Sequence, residues 1–126
     1  MRTIKFRGKT TKGNWVCGFL SRYVGGEIYF ITTDEKRNLI VDLDTVGQFT
    51  GLYDKDGKEI YEGDIVDAWS AGQHLPNGII RWGEGPAGFF ISDPTHSVIW
   101  SLSGDSEKKE SFEVIGNIHD NPELLK

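Results

Sequence analysis

One third of this 126-residue chain is β-branched or aromatic, 27 Val, Ile and Thr with 15 Phe, Tyr and Trp, against only 12 Ala, Leu and Met. Branched and aromatic side chains fit a pleated, half-buried surface, whereas Ala, Leu and Met are the residues that lose least freedom in a helix. Sixteen glycines punctuate the short apolar runs as turn signals. A chain so composed folds into short strands and tight turns and leaves no room for long helices.

Periodicity places the strands. Ile4 and Phe6 alternate with Lys5 and Arg7, a period of two that predicts a first strand. Turn material follows from Lys9 to Gly13, and the run Trp15 to Leu20, apolar on both faces, predicts a buried partner strand. Gly25-Gly26 leads into Glu27–Ile31, the charged stretch Thr33–Arg37 turns the chain, and Leu39–Val41 returns as a second hairpin. Val46–Tyr53 reads as a further strand interrupted by Gly47 and Gly51, and Asp54-Lys55-Asp56-Gly57 as a tight turn. Five short strands are expected beyond it: Glu62–Trp69, Gly78–Trp82, Gly88–Ser92, Ser97–Leu102 and Phe112–Ile118. Strands so spaced suggest a small closed or half-closed barrel, and the Gly-Asp-x-Val entry at Gly63–Val66 suggests an SH3-like one. At the end, Asn121-Pro122-Glu123 offers a cap, a proline for the first turn and an acid near the dipole's positive end. The expected fold is therefore mainly β. N-terminal β-hairpins occupy 1–50, a structured connector 51–63, and a small SH3-like barrel with a short C-terminal helical turn 64–126, together one compact unit.

Most chemistries fail on spacing. Gly83-Glu84-Gly85-Pro86-Ala87-Gly88 satisfies G-x-G-x-x-G, but the strand-like Phe89-Phe90-Ile91 follows where a helix is needed, Pro86 lacks an N–H and Glu84 would repel a phosphate. A hairpin loop explains it better. Counted from Asp54, an EF-hand would need Gly at the sixth position and Glu at the twelfth, where Glu59 and Ile65 stand. The acids Asp54, Asp56, Glu59, Glu62 and Asp64 are instead expected on the exposed face of a solvated turn. His74, His96 and His119 lie more than 20 residues apart and form no ligand pair with the lone Cys17. No G-x-S-x-G elbow is present. No catalytic residue, cofactor or metal is assigned, and at least two of Trp15, Trp69, Trp82 and Trp100 are expected in the core.

Charge is distributed unevenly. Residues 1–26 hold six cations and no acid, whereas 42–67 hold eight acids and two lysines, within a net charge of −5. The candidate interaction residues are accordingly Arg2, Lys5, Arg7, Lys9 and Lys12 on the basic side and Asp54, Asp56, Glu59 and Glu62 on the acidic side. Complementary packing of the two segments, within a chain or between subunits, is favoured. Single-stranded nucleic acid on the basic face near Phe6 and Trp15 is the alternative, opposed by the −11 carried by the rest of the chain. No apolar run approaches the roughly 18 residues of a membrane span, and the polar, basic start lacks a signal core, so the chain reads as soluble and cytoplasmic.

Three stretches carry a family resemblance: Val46-Gly47-Gln48-Phe49-Thr50-Gly51-Leu52, Asp54-Lys55, and Gly57-Lys58-Glu59-Ile60-Tyr61-Glu62-Gly63-Asp64-Ile65-Val66. With Ile4–Gly8 at the start, and Glu113–Ile118 and Asn121–Leu125 at the end, the chain resembles the YopX family of phage and prophage proteins. Cys17 stands where the family often has an aromatic, and Tyr53 and Asp56 where it usually has polar or basic residues. The resemblance implies an origin in a phage or prophage of a Gram-positive host and a mainly β fold with an SH3-like barrel. It supplies no activity and no catalytic residues. Tyr61-x-Gly63-Asp64-x-Val66 is explained by folding alone, Gly for a tight turn and Asp to bond turn amides.

The favoured expectation is a cytoplasmic, phage-encoded accessory protein, a non-enzymatic module with an unidentified protein partner that forms homo-oligomers. A nucleic-acid-binding β-barrel comes second, and an enzyme of unspecified reaction third.

Overall fold

The computed structural model describes residues 3–70, 72–84, 87–94, 98–101 and 110–125. Arg2 and His96 lie outside these residues. Ten strands run in order β1 (Phe6–Thr10), β2 (Trp15–Arg22), β3 (Tyr29–Thr32), β4 (Asn38–Tyr53), β5 (Glu59–Tyr61), β6 (Asp64–Ser70), β7 (Gln73–Glu84), β8 (Ala87–Ser92), β9 (Val98–Ser101) and β10 (Glu110–Asn117), followed by a 3-10 turn at Pro122–Leu125. The fold is mainly β, in two sheets, as the composition requires. Among the described residues, no helix is long and apolar enough to cross a membrane. The chain divides into two compact units, Met1–Gly51 and Leu52–Lys126.

In the first unit, β1 to β4 pair antiparallel in sequence order, and β1 pairs with β4 as well, so these four strands close into a ring. Leu39–Val41 and Val46–Gly51 belong to one unbroken strand rather than two, because β4 serves β3 at its start and β1 further on. Ile31, Val41 and Phe49 are buried. Gly18 is the tight point: a Cβ there would run into the carbonyl oxygen of Thr32 on β3, so the two strands approach this closely only because residue 18 has no side chain.

The alternation along β2 leaves one face outside the ring. Register pairs share a face: Phe19 opposes Thr32, Ser21 opposes Phe30, and Phe30 opposes Ile40. The run Trp15–Leu20 is thus hydrogen-bonded on both edges, as expected of an interior strand, but not buried on both faces. Cys17 is exposed and Phe19 is 70% exposed.

In the second unit, the end of β4 pairs with β5 around a turn closed by Asp54 N–H donating to Lys58 O (2.8 Å). The other strands form an antiparallel sheet in the order β10-β6-β7-β8-β9, the five expected strands with somewhat shifted ends. Ile60, Val66, Ile80, Phe89, Ile91 and Val114 pack into one apolar cluster, flanked by Leu52 and Phe112. Among the described residues no pairing joins β9 to β10. The glycine-rich motif is a hairpin, with Gly83 opposite Gly88 and Glu84 opposite Ala87. At the C-terminus, Asn121 stands directly before the 3-10 turn, its carbonyl accepting from Leu124 N–H (3.1 Å), while Asn117 Oδ1 accepts the N–H groups of His119 and Asp120 (3.0 and 2.9 Å) in the turn that precedes it. Trp69 and Trp82 are each 44% exposed and Trp15 is half-buried, so none of these three is the core residue expected.

Candidate interaction surface

The basic residues of the first unit sit on aromatic rings. Lys5 Nζ lies 5.2 Å from the Phe49 ring centroid, while the Arg7 guanidinium and Lys9 Nζ lie 4.8 and 5.6 Å from that of Trp15. Strand alternation puts residues 5, 7 and 9 on one face, and the register that sets Lys9 opposite Trp15 brings the ring beneath them. Cation–π attraction then fixes the side chains. Lys9 is also the register partner of Asp42 on β4.

Lys12 stands apart from this row. It lies on the β1–β2 turn, exposed, and with Arg37 it lines a hollow of about 460 Å³.

The ring's outward face carries Phe19, Phe30 and Ile40 across β2, β3 and β4. Tyr23 packs against Phe30 in a tilted arrangement, ring centroids 4.7 Å apart, and Ile28 lies two residues before Phe30 on the same side. Tyr23, Ile28 and Ile40 are each close to half exposed. Of the polar members of this face, Ser21, Thr32 and Asn38 are uncharged, whereas Arg7 and Lys9 on β1 and Asp42 on β4 share it by register.

The acids of the second unit divide by role. Asp56 is exposed, and Glu59 accepts from Tyr61 Oη (3.2 Å). Asp54, expected on the exposed face of its turn, is instead buried. Its Oδ1 accepts the N–H groups of Asp56 and Lys58 (both 2.9 Å) and its Oδ2 that of Val114 (3.0 Å), so one carboxylate ties the turn to β10. Burial acts to raise its pKa. The bonds from Val114, Lys58 and Asp56, with the charge of Lys58, outweigh it and hold the carboxyl below the ordinary aspartate value. The buried carboxylate thus serves the fold through three backbone amides. Asp64 is likewise buried, Oδ2 accepting from Tyr61 N–H (2.8 Å), while Gly63 at φ +90° donates to Ile80 O and accepts from Ile118 N–H. The Tyr-x-Gly-Asp-x-Val motif is therefore spent on the turn into β6.

Two groupings escaped the sequence. His74 contacts Asp67 and stacks on Trp69 with centroids 4.6 Å apart, because β6 and β7 set Trp69 opposite His74. Arg37 joins Lys12 because the Thr10–Val41 register brings the end of β1 beside the start of β4. Neither pair shares a spacing a motif could reveal; both depend on strand pairing.

A mainly β protein of two sheets is what the geometry defines. The family described as YopX protein matches residues 3–126. The chain belongs to the YopX family. No curated protein matches the sequence. Among solved structures it is similar to the crystal structure of protein EF1440 from Enterococcus faecalis, at 24% identity over the whole of both chains with a TM-score of 0.57, a likeness of fold.

Proposed function

We propose that this protein is a non-enzymatic interaction module, encoded by a phage or prophage and cytoplasmic in its host, that acts through protein contacts and associates with itself. The observation that carries the reading is the apolar outer face of β2–β4, where Phe19, Tyr23, Ile28, Phe30 and Ile40 adjoin one another. Exposed apolar patches of this kind mark contact sites in soluble proteins. The occupant is a second copy of the chain, on a physical ground: in a two-fold contact a patch meets itself, and these five side chains bring no like-charge repulsion to that contact. A lobe at 1–50, a connector at 51–63 and an SH3-like barrel at 64–126 belong to this proposal as its architecture.

Size-exclusion chromatography with light scattering tests it. Wild type should elute as more than one chain, and the double variant Phe19→Ser, Ile40→Ser as a single chain with unchanged circular dichroism. A wild type that stays monomeric at about 100 μM, well above a micromolar Kd, would remove the self-association reading.

The cations over Phe49 and Trp15 favour a second reading, nucleic-acid binding. Single-strand binding would then weaken with log salt at a slope of about 0.7 per phosphate contact, and Lys5→Gln with Arg7→Gln would lower that slope by about 1.4. Steep binding lost in that double variant, with assembly unchanged, would replace the protein-contact reading.

A further inference from the structure

We infer that the hollow at the turn end of the first unit binds a phosphate-bearing small molecule. Two turns far apart in sequence build it. Thr10, Thr11, Lys12 and Asn14 come from the β1–β2 connection, and Arg37 and Asn38 from the entry to β4. Both turns are held by their own backbone. Thr10 N–H donates to Asn14 O (2.9 Å) and Gly13 N–H to Thr10 O (2.9 Å), while Thr33 N–H donates to Arg37 O (2.9 Å). The site is thus presented on braced turns rather than loose chain.

Its chemistry is one-sided. The lining includes two cations and four hydroxyl or amide side chains, and no carboxylate. In a chain of net charge −5 that is an unusual local balance. Among the described residues neither Lys12 nor Arg37 enters an ion pair. Two like charges at one opening repel each other, and an anion between them reverses that term. Arg presents a planar fork of donors and Lys a compact one, the pair of cations suited to phosphate oxygens. Thr10 and Thr11 add hydroxyls. Asn38 accepts from Thr32 Oγ1 through its Oδ1 (2.7 Å), which leaves its amide NH₂ as a donor.

The remaining walls, Val16, Leu39 and Ile40, are apolar and give the organic part of an ester a place to rest. Among the described residues no aromatic ring lines the hollow, so the bases of a single strand would find nothing there to stack on. At about 460 Å³ the space suits a small phosphomonoester.

The test is a titration of the full chain, followed by backbone amide chemical shifts, with inorganic phosphate, butyl phosphate and an oligothymidylate as separate probes. The expected result is saturable shifts at Thr11, Lys12, Asn14 and Asn38 with inorganic phosphate and butyl phosphate, at Kd of about a millimolar. Lys12→Gln and Arg37→Gln should each weaken binding about tenfold, and Lys55→Gln, in the other unit, should leave it unchanged. Both substituted residues are exposed turn positions, so folding is expected to survive. Shifts spread over all exposed cations without saturation, or retained in the Lys12→Gln, Arg37→Gln double variant, would overturn the inference. Oligothymidylate binding at these amides more tightly than butyl phosphate would overturn it too, and transfer the hollow to the nucleic-acid reading.

Discussion

In the first unit each of the four strands of the ring has hydrogen-bonded neighbours on both sides, whereas among the described residues the main sheet of the second unit ends in β9 and β10. The difference extends to how the two use their unusual residues. The second unit spends its acids inward, Asp54 on three backbone amides and Asp64 on the turn into β6. The first unit turns most of its chemistry outward, with Phe19, Ile28 and Ile40 on the ring's outer face and Lys12 and Arg37 at its hollow. A closed four-stranded ring has little interior volume, so apolar side chains on its outer face must remain exposed or meet a partner. The motif that carries most of the family resemblance therefore stabilises the fold, and the exposed apolar and basic side chains of the first unit lie elsewhere.

The sharpest way to break this contrast is Gly18→Ala. A Cβ driven into a backbone carbonyl cannot be relieved by a side-chain rotation, and the expected cost is about 3–5 kcal/mol, read from chemical denaturation. Loss below about 1 kcal/mol would mean that β2 and β3 are free to move apart and that the ring is less constrained than it looks.

Asp54→Ala is expected to come next, at about 2–4 kcal/mol, because it strands the N–H of Val114 beside a buried turn. Amide hydrogen exchange should show the loss of protection at Asp56, Lys58 and Val114 first. The same residue governs a pH dependence whose sign follows from its lowered pKa. Its contribution is fully present above the unfolded-state value of about 3.9 and is lost as pH falls through the lower folded value. Urea midpoints measured between neutral pH and strong acid should fall along that limb in wild type and fall less in Asp54→Asn. Equal acid limbs in the two proteins would assign the effect to other carboxylates.

Smallest in stability, and most telling for function, is Phe19→Ser. The side chain is mostly exposed, so unfolding should move by no more than about 0.5 kcal/mol while the oligomer size falls. A stability loss several times larger, with no change in size, would show that the outer face is part of the monomer's own packing. Chelator treatment is expected to leave the thermal midpoint of both units where it is; a clear drop would reveal a metal contributing to folding.

The mainly β fold, most of its strands, the hairpin at Gly83–Gly88 and the turn role of Gly63 and Asp64 were legible in the sequence, whereas β4 was read as two strands and β5 as connector. Each is written in neighbouring residues: period-two alternation, glycine at a turn, an acid within three residues of the amide it accepts. The sequence misled where one pattern has two three-dimensional outcomes. Trp15–Leu20 is apolar on both faces whether the second face is buried or bare, and Asp54 looks like any acid of a solvated turn until β10 brings the N–H of Val114 to it across 60 residues.

Local backbone preference and side-chain alternation thus determined by themselves that this chain would be strands and turns, and which faces of them would be apolar. Only the tertiary structure decided that β1 pairs with β4 and closes the ring, that Lys5, Arg7 and Lys9 rest on Phe49 and Trp15, and that Lys12 meets Arg37 at one hollow. The physical reason is that these contacts depend on which strand edges pair and in what register, and pairing is set by the free energy of the whole sheet, which no short window of residues contains.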